Sequence, residues 1–303
     1  TILVASIKYK AFKLHEVIVI FIQNIAACDI LITVISIFTQ SVSLMADRWI
    51  FGTHVCYMKV YLGFMGTVAS ILLVCGMTVS KLLMVKRPLK ARCWSRRRGH
   101  GVCAGLWALS CSVPLTFFIV DKDDLGVNRT TYTCSYNSTG EIWKWLKLVN
   151  VGLFVAIPTV IMVVTSILLV QHLRYARQVA LKTGGTVRWQ GIATVVLTAT
   201  VYCLSSLPTS IHMVIWPYVK SYTYRVNGPR VTDTFMYFNV VANVFVYSIT
   251  VGSFREFLKK RVEQTSSYLS DVIVNPGKEQ NVSLHNFKTL QFNHLEVNIS
   301  KHQ

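Results

Sequence analysis

Residues 151–170 read VGLFVAIPTVIMVVTSILLV, with no charged side chain at any position. A helix at the surface of a soluble protein has one apolar and one polar face, whereas this stretch is apolar on nearly every side. About 20 residues are needed to cross about 30 Å of hydrocarbon. The stretch therefore predicts a membrane-spanning helix.

Similar apolar spans recur along the chain, separated by short polar joints. Of the 303 residues, 52% are hydrophobic and 15% are charged, and the mean hydropathy is +0.46. A soluble protein with a large buried core is the alternative, but the recurrence of such spans favours an integral membrane protein. The six spans lie at 17–44, 55–85, 102–120, 149–170, 191–218 and 231–252.

Further segments are predicted at both ends of the chain. Residues 1–7 are apolar but too short to span, and we expect them to end a further helix whose beginning is absent. The predicted fold class is an all-α membrane protein, a bundle of seven transmembrane helices with the first incomplete. Residues 1–252 form this bundle, 253–263 a short amphipathic eighth helix along the inner leaflet, and 264–303 a disordered cytoplasmic tail.

Basic residues concentrate in alternate joints, and such joints face the cytoplasm. The joint at 121–145, which contains several aspartates, is therefore expected to be extracellular. The net charge of +18 is concentrated where anionic lipid head groups lie, so nucleic acid binding is not favoured. The basic residues are Lys8, Lys10, Lys13, Lys86, Arg87, Lys90, Arg92, Arg96, Arg97, Arg98, Arg174, Arg177, Lys182, Arg188, Arg255, Lys259, Lys260 and Arg261.

The joint at 121–145 carries two further signs of an outward position. Asn128 and Asn137 begin glycosylation sequons. Cys134 lies in the same joint, and Cys56 lies at the outer start of the second span. A disulfide between them would persist in an oxidising compartment and would hold the joint over the bundle.

The order of several motifs resembles the rhodopsin-like, class A G-protein-coupled receptors, in a divergent form. The resemblance covers 1–264. It implies a receptor at the plasma membrane that binds an extracellular ligand in the outer half of the bundle and signals to a heterotrimeric G protein by helix rearrangement. The motifs are Asn24 to Asp29 (NIAACD), Trp49 to Gly52 (WIFG) with Cys56, Trp107, Pro158, Pro208, Asn243 to Tyr247 (NVFVY), and Phe254 to Phe257 (FREF).

A polar set inside the spans matches the family's hydrated sodium pocket. By resemblance, Asp29, Ser70, Asn239 and Asn243 line it, and the two asparagines share one helical face because they are four residues apart. A sodium ion at Asp29 and Ser70 is one interpretation. The other is a neutral, protonated Asp29 that is hydrogen-bonded to the same partners without an ion. No other cofactor is predicted.

The activation motifs depart from the family pattern. Ser80-Lys81-Leu82 stands where an acidic-arginine-aromatic triplet is expected, and lysine lacks the planar guanidinium of arginine. Ser166, Ser206 and Val244 also replace family residues. The set with a predicted role in activation and coupling is Ser80, Lys81, Tyr202, Pro208 and Tyr247. Weakened coupling suggests an alternative function, a seven-helix binding, scavenging or scaffold protein.

The resemblance also outlines a ligand pocket. Gly63 replaces the aspartate of amine receptors, and Tyr237 replaces the lysine that binds retinal in visual pigments, so both ligand classes are disfavoured. Lys59, Lys147 and Arg230 favour an anionic small molecule or a peptide, unless they only extend toward the head groups. The predicted lining residues are Lys59, Gly63, Phe64, Thr67, Lys147, Asn150, Phe154, Thr209, His212, Met213, Asp233 and Tyr237.

Two further expectations concern partners and chemistry. Thr265, Ser266, Ser267 and Ser270 in the tail could be phosphorylated, and the added charge could recruit arrestin. The sequence has no Gly-rich phosphate loop, no metal-spaced set of His and Cys residues and no nucleophile elbow, so an enzyme is not predicted.

Overall fold

The computed structural model describes residues 16–87, 95–121, 125–128, 133–136, 140–183, 190–215, 218–219 and 222–250, and the single residues 259, 263 and 266. Thr1–Phe254 and Arg255–Gln303 are separate compact units. In the second unit, the side chains of Lys259 and Glu263 lie 3.9 Å apart. The expected incomplete helix at the start, most of the amphipathic helix and the tail lie outside the described residues, so the proposed domain limits stay predictions.

Six helices coincide with the six predicted spans. They are α1 (Glu16–Met45), α2 (Gly52–Lys86), α3 (Arg96–Asp121), α4 (Glu141–Thr183), α5 (Gln190–Ile215) and α6 (Tyr222–Thr250). Within the described ranges, five helices are long and apolar enough to cross a membrane, and Tyr237–Thr250 is a shorter apolar segment of α6. The predicted all-α membrane fold is confirmed.

Several boundaries differ from the prediction, since α3 begins at Arg96 and α6 at Tyr222, and the limits of α4 differ most. Helix α4 begins at Glu141, inside the expected outer joint, and continues to Thr183 through basic residues that were assigned to an inner joint. Hydropathy detects only the part of a helix that lies in hydrocarbon. A helix can continue beyond the hydrocarbon, because continuation also satisfies the hydrogen bonds of its main-chain groups. The outer joint also contains an antiparallel hairpin, β1 (Leu125–Asn128) and β2 (Thr133–Tyr136), with Val127 opposite Cys134.

Helix α2 is the centre of the packing, since it contacts α1, α3, α4 and α5. Small residues permit this close approach. A β-carbon added at Gly76 of α2 would lie 3.0 Å from the ring of Phe21 on α1 and 3.2 Å from Leu106 on α3. Phe21 is fully buried, so its ring has no free space into which it could move. Three helices therefore meet where only a hydrogen atom fits.

A hydrogen bond also joins α1 to α3. The Trp107 indole nitrogen donates to Asn24 Oδ1 at 3.0 Å, and the Asn24 amide donates to the carbonyl of Ile20 at 2.8 Å. An indole N–H in hydrocarbon requires such a partner. Trp107 is therefore a structural residue that orients α3 against α1.

Two helices contain a π-helical turn, Thr33–Ile37 in α1 and Gly152–Ala156 in α4. Such turns insert an extra residue and rotate the side chains beyond them. The first turn follows Asp29 and brings Ser36 beside α2, so that a β-carbon at Gly63 would lie 3.0 Å from Ser36 Oγ. The second ends two residues before Pro158, which has no N–H to donate, and it contains the predicted pocket residue Phe154. Both turns thus lie near predicted site residues.

We predict that Gly76→Ala lowers the melting temperature of the detergent-solubilised protein. The added methyl group overpacks the contact with Phe21 and Leu106 and should cost about 1–3 kcal/mol. Gly105→Ala on α3 is the matched control, because nothing lies within 4 Å of a β-carbon added there. Equal melting temperatures for the two variants would contradict the packing at Gly76.

Candidate functional site

The outer end of α2 is covalently tied to the hairpin. Cys56 and Cys134 form the expected disulfide, with their Cα atoms 5.5 Å apart. Both cysteines are buried with Val60, and Trp49, Tyr57 and Phe64 pack against them. The Trp49 indole donates to the carbonyl of Gly52 at 2.8 Å. The disulfide thus belongs to a small apolar cluster that positions β2 against the start of α2.

Lys59 is a buried cation just inside this cluster, with 8% of its surface exposed. Its ammonium donates to Gln40 Oε1 of α1 at 2.7 Å and lies 5.6 Å from the centre of the Trp49 ring. Burial of a charge is costly unless hydrogen bonds and ring faces replace the lost water. The structure therefore places a stabilised positive charge between the outer halves of α1 and α2.

Gln40 belongs to a polar stripe on α1 that sequence reasoning missed. Four buried polar residues recur at intervals of three and four, which places them on one face of the helix. Two of them are joined by a hydrogen bond within the helix, in which Ser43 Oγ donates to the carbonyl of Thr39 at 2.8 Å. The signal was present in the sequence as polar residues at helical spacing inside an apolar span. The stripe consists of Ser36, Thr39, Gln40 and Ser43.

An aromatic wall connects α2, α3 and α4 on the other side of the outer half. Phe64 stacks on Phe117 with ring centres 5.5 Å apart, and Phe117 meets the edge of Trp143 at 5.0 Å. The Lys147 ammonium lies 5.1 Å from the centre of the Trp143 ring, and Phe154 packs against the same cluster. Phe117 and Trp143 were not predicted site residues, and only the fold brings them beside Phe64.

Lys147 is half-buried on α4. The ion pairs among the described residues join Glu141 to Lys144 and Glu263 to Lys259. Within the described ranges, no carboxylate therefore lies within 4 Å of the Lys147 ammonium. A half-buried ammonium above a ring retains the ability to bind an anion. Lys147 is thus a candidate contact for a negatively charged group.

The other predicted pocket residues fall into three groups. Thr67 and Asn150 form hydrogen bonds within their own helices. Thr67 Oγ1 donates to the carbonyl of Gly63, and the Asn150 amide donates to the carbonyl of Leu146, both at 2.8 Å. Thr209, His212 and Tyr237 are half-buried on α5 and α6. The side chains of Met213 and Asp233 lie outside the described set. Phe64 of α2 and Phe154 of α4 both pack on the aromatic wall.

A polar centre lies deeper in the bundle. The Asn243 amide of α6 donates to Asp29 Oδ2 of α1 at 3.0 Å, and Asp29 is only 7% exposed. Four other oxygens of the predicted sodium set are buried without a hydrogen-bond partner among the described residues, namely Asp29 Oδ1, Ser70 Oγ, Asn239 Oδ1 and Asn243 Oδ1. Such acceptors require water or a cation in the space between them. The donor set, which consists of oxygens around one carboxylate, fits a hard cation.

The predicted activation residues lie on α2, α5 and α6. Ser80 is buried and Lys81 is half-buried at the inner end of α2. The Tyr202 hydroxyl of α5 lies 3.5 Å from the carbonyl of Thr67 on α2, Pro208 lies within α5, and Tyr247 of α6 is 1% exposed. Among these contacts, the Tyr202 contact directly links α5 to α2.

The predicted glycosylation sites receive no structural description. The backbone of Asn128 ends β1, but its side chain and the whole of Asn137 lie outside the described residues.

Comparison with known sequences decides the family. The family model of the 7 transmembrane receptor (rhodopsin family) matches residues 1–247. The chain belongs to the rhodopsin family. The expected resemblance is confirmed, and the chain is a multi-pass membrane protein of a receptor family rather than of an enzyme class. Its architecture is the seven-helix bundle, of which α1–α6 are described.

Individual relatives within the rhodopsin family have low sequence identity to this chain. A purinoceptor of Mus musculus is 29% identical over 170 residues, which cover 54% of this chain and 44% of that protein. The same purinoceptor of Rattus norvegicus is 28% identical over 173 residues, with the same shares. A QRFP-like peptide receptor of Branchiostoma floridae is 27% identical over 121 residues, 40% of this chain and 32% of that receptor. The chain matches less than half the length of each.

Proposed function

We propose that this protein is a G-protein-coupled receptor of the plasma membrane, which binds an extracellular ligand in the outer half of the bundle and signals to a heterotrimeric G protein. Membership of the rhodopsin family is the single observation that carries the proposal. In this orientation the hairpin joint at 121–145 is extracellular and the tail is cytoplasmic, because the basic joints lie inside. Arrestin is a further proposed partner, through phosphorylation of the tail.

Signalling requires that the ligand prefer one packing of the helices. A ligand shifts such an equilibrium only by its difference in affinity for the two states. Thr67 lies in the candidate pocket, and its carbonyl is the group that the Tyr202 hydroxyl approaches. Movement of α2 at the pocket would therefore change the contact that positions α5. The same coupling would let a G protein at the inner end raise ligand affinity.

Lys81 is the proposed contact for the G protein at the inner end. It is half-buried, and no acidic residue occurs between Asp47 and Asp121 in the sequence, so α2 itself supplies no counter-ion. The resting state consequently lacks the local ion pair that the family pattern provides. A lysine there still offers a positive charge to a partner, although without the bidentate geometry of arginine.

We predict that Lys81→Ala lowers ligand-stimulated nucleotide exchange on the coupled G protein by about tenfold or more, since one charge-assisted hydrogen bond contributes ~1.5–3 kcal/mol. Lys81→Arg is the matched variant and should keep or increase the exchange. Surface expression of all three proteins is measured in parallel. Exchange that never exceeds the level of empty membranes, in spite of normal expression and with every ligand tried, would refute the signalling role.

That negative result would favour the second candidate, a seven-helix binding, scavenging or scaffold protein. Its motivation is the loss of several activation residues, at Ser80, Lys81, Ser206 and Val244, while the outer half keeps its disulfide and its buried Lys59. Such a protein would bind ligand with wild-type affinity and give no exchange. Ligand binding and nucleotide exchange measured on the same membranes separate the two candidates.

We further propose that the ligand is an anionic small molecule or a peptide with an acidic group. Lys147 supports this class, because its ammonium lies beside the aromatic wall without a described carboxylate. Relatives named purinoceptors and a peptide receptor are compatible with either form. Gly63 and Tyr237 offer no carboxylate for an amine and no lysine for retinal.

We predict that Lys147→Gln weakens the potency of an anionic agonist by about tenfold or more, because the variant removes a charge-assisted contact in a half-buried site. The panel consists of purine nucleotides and acidic peptides. Lys144→Gln is the matched control, since Lys144 lies one turn away and its ammonium is bound by Glu141. Activation by cationic or neutral ligands alone, or equal potency for both variants, would exclude this ligand class.

A sodium ion in the polar centre is also proposed. Asp29 Oδ1 and Ser70 Oγ are buried acceptors that no described residue satisfies, and the two asparagine oxygens complete an oxygen-rich set. Asp29, Ser70, Asn239 and Asn243 would hold the ion. Its charge would offset that of the Asp29 carboxylate, which otherwise has one described hydrogen bond. The alternative remains a neutral Asp29 with water in the same space.

We predict that the protein melts at a higher temperature in sodium chloride than in choline chloride of equal ionic strength, because an ion that binds only the folded state stabilises it. Asp29→Asn should abolish this difference. Asp47→Asn, which changes an exposed carboxylate, should preserve it. Identical melting curves for the wild type in the two salts would favour the neutral aspartate without an ion.

A further inference from the structure

Helix α4 extends beyond the hydrocarbon at both ends. Its two exposed aromatic side chains are Trp145, with 64% of its surface exposed, and Tyr175, with 66%. They are 30 positions apart in one helix, which corresponds to about 45 Å at about 1.5 Å per residue. A bilayer with its head groups is about 40–45 Å thick. Trp and Tyr prefer the two polar boundaries, so this spacing would put Tyr175 at head-group depth.

An exposed arginine would lie at the same depth. Exposed aliphatic residues recur along α4 at intervals of three and four, so they form one lipid-facing stripe. The same spacing continues through exposed Gln171 to exposed Arg174, which directly precedes Tyr175. Arg174 therefore lies where the lipid-facing stripe reaches the head groups. The aliphatic members of the stripe are Ile157, Val160, Val164 and Ile167.

The charge at this end of α4 is of one sign. Arg177 and Lys182 are exposed on the last turns of α4, and the sequence has no acidic residue from 142 to 232. The ion pairs of the described residues do not include Arg174, Arg177 or Lys182. These cations repel one another at close range, and an anionic partner would relieve that repulsion.

A second helix end repeats the arrangement. At the inner end of α2, exposed Leu83 is followed on the same side, three and four residues later, by exposed Lys86 and Arg87. Neither cation takes part in an ion pair of the described residues. Helix α2 packs against α4. Lipid-facing aliphatic side chains are thus followed by exposed cations at the basic end of two neighbouring helices.

We propose that Arg174 and Arg177, supported by Lys86 and Arg87, form a binding surface for the head group of an anionic phospholipid. The guanidinium group binds a phosphate with two parallel hydrogen bonds, and the Tyr175 ring lies beside it in the same layer. A soluble acidic protein would also meet the positive charge, but it would not explain why the arginine continues a stripe that faces acyl chains. The surface lies apart from the outer pocket and does not depend on the proposed receptor activity.

The test counts lipids that remain bound to the full chain. The protein is reconstituted in nanodiscs of phosphatidylcholine mixed with phosphatidylserine or with phosphatidylinositol 4,5-bisphosphate, transferred to a mild detergent, and analysed by native mass spectrometry. The variant is Arg174→Gln with Arg177→Gln. The matched control is Arg48→Gln with Lys144→Gln, since both cations lie at the outer end of the bundle and Lys144 is paired with Glu141.

Each basic residue near an anionic surface contributes about fivefold in affinity, so the arginine pair should lower retention of the anionic lipids by about thirtyfold and leave phosphatidylcholine unchanged. The control pair should retain the anionic lipids as the wild type does, and Arg174→Lys with Arg177→Lys should retain most of them. Melting temperatures are compared, so that a misfolded variant is recognised. Unchanged retention in the arginine variant, or an equal loss in the control, would overturn the proposal. A loss of G-protein activation with unchanged lipid retention would overturn it in favour of a protein partner.

Discussion

A polar group in hydrocarbon must find its partner within the protein, because an unsatisfied one costs several kcal/mol. This constraint explains why the spans are continuous helices and why the polar residues inside them face one another. The amide of Asn243 reaches the carboxylate of Asp29 across 214 positions of sequence. The Trp107 indole reaches Asn24 in the same way. These contacts fix the rotation of α1 relative to α3 and α6, on which the remaining packing depends.

The outer and inner halves of the bundle differ in how their charged side chains are stabilised. In the outer half, the ammonium group of Lys59 is buried against Gln40 and a ring face, beside a disulfide-linked hairpin. The inner half keeps a small, polar contact region around Ser80 and Lys81 in place of a full ion pair. In the proposed receptor, the resting state would be held by few directed contacts. The affinities for a ligand and for a G protein would be linked through the packing between the two ends.

Much of this was predictable from the sequence, and the exceptions have physical causes. Hydropathy located all six described helices, because the hydrocarbon selects for long apolar runs, and the motif order indicated the family. Hydropathy could not show that α4 begins at Glu141, since polar helical turns outside the lipid carry no apolar signal. Phe117 and Trp143 were missed because their roles arise from contacts between helices. Gln40 was missed although its polar stripe has a helical spacing in the sequence. The disulfide was predicted because Cys56 and Cys134 both lie on the side of the membrane that the basic residues indicate to be extracellular.

The fixed distance between Trp145 and Tyr175 has a consequence for how α4 fits a bilayer. A helix with an aromatic anchor at each boundary matches one membrane thickness, and a thinner bilayer must be met by tilt or by local thickening, at a cost of fractions of a kcal/mol for each Å. Membranes of the early secretory pathway are thinner than the sterol-rich cell surface by a few Å. Because α4 continues as polar helix beyond its apolar stretch at both ends, a difference of that size would be met by tilt of α4 rather than by exposure of apolar side chains to water.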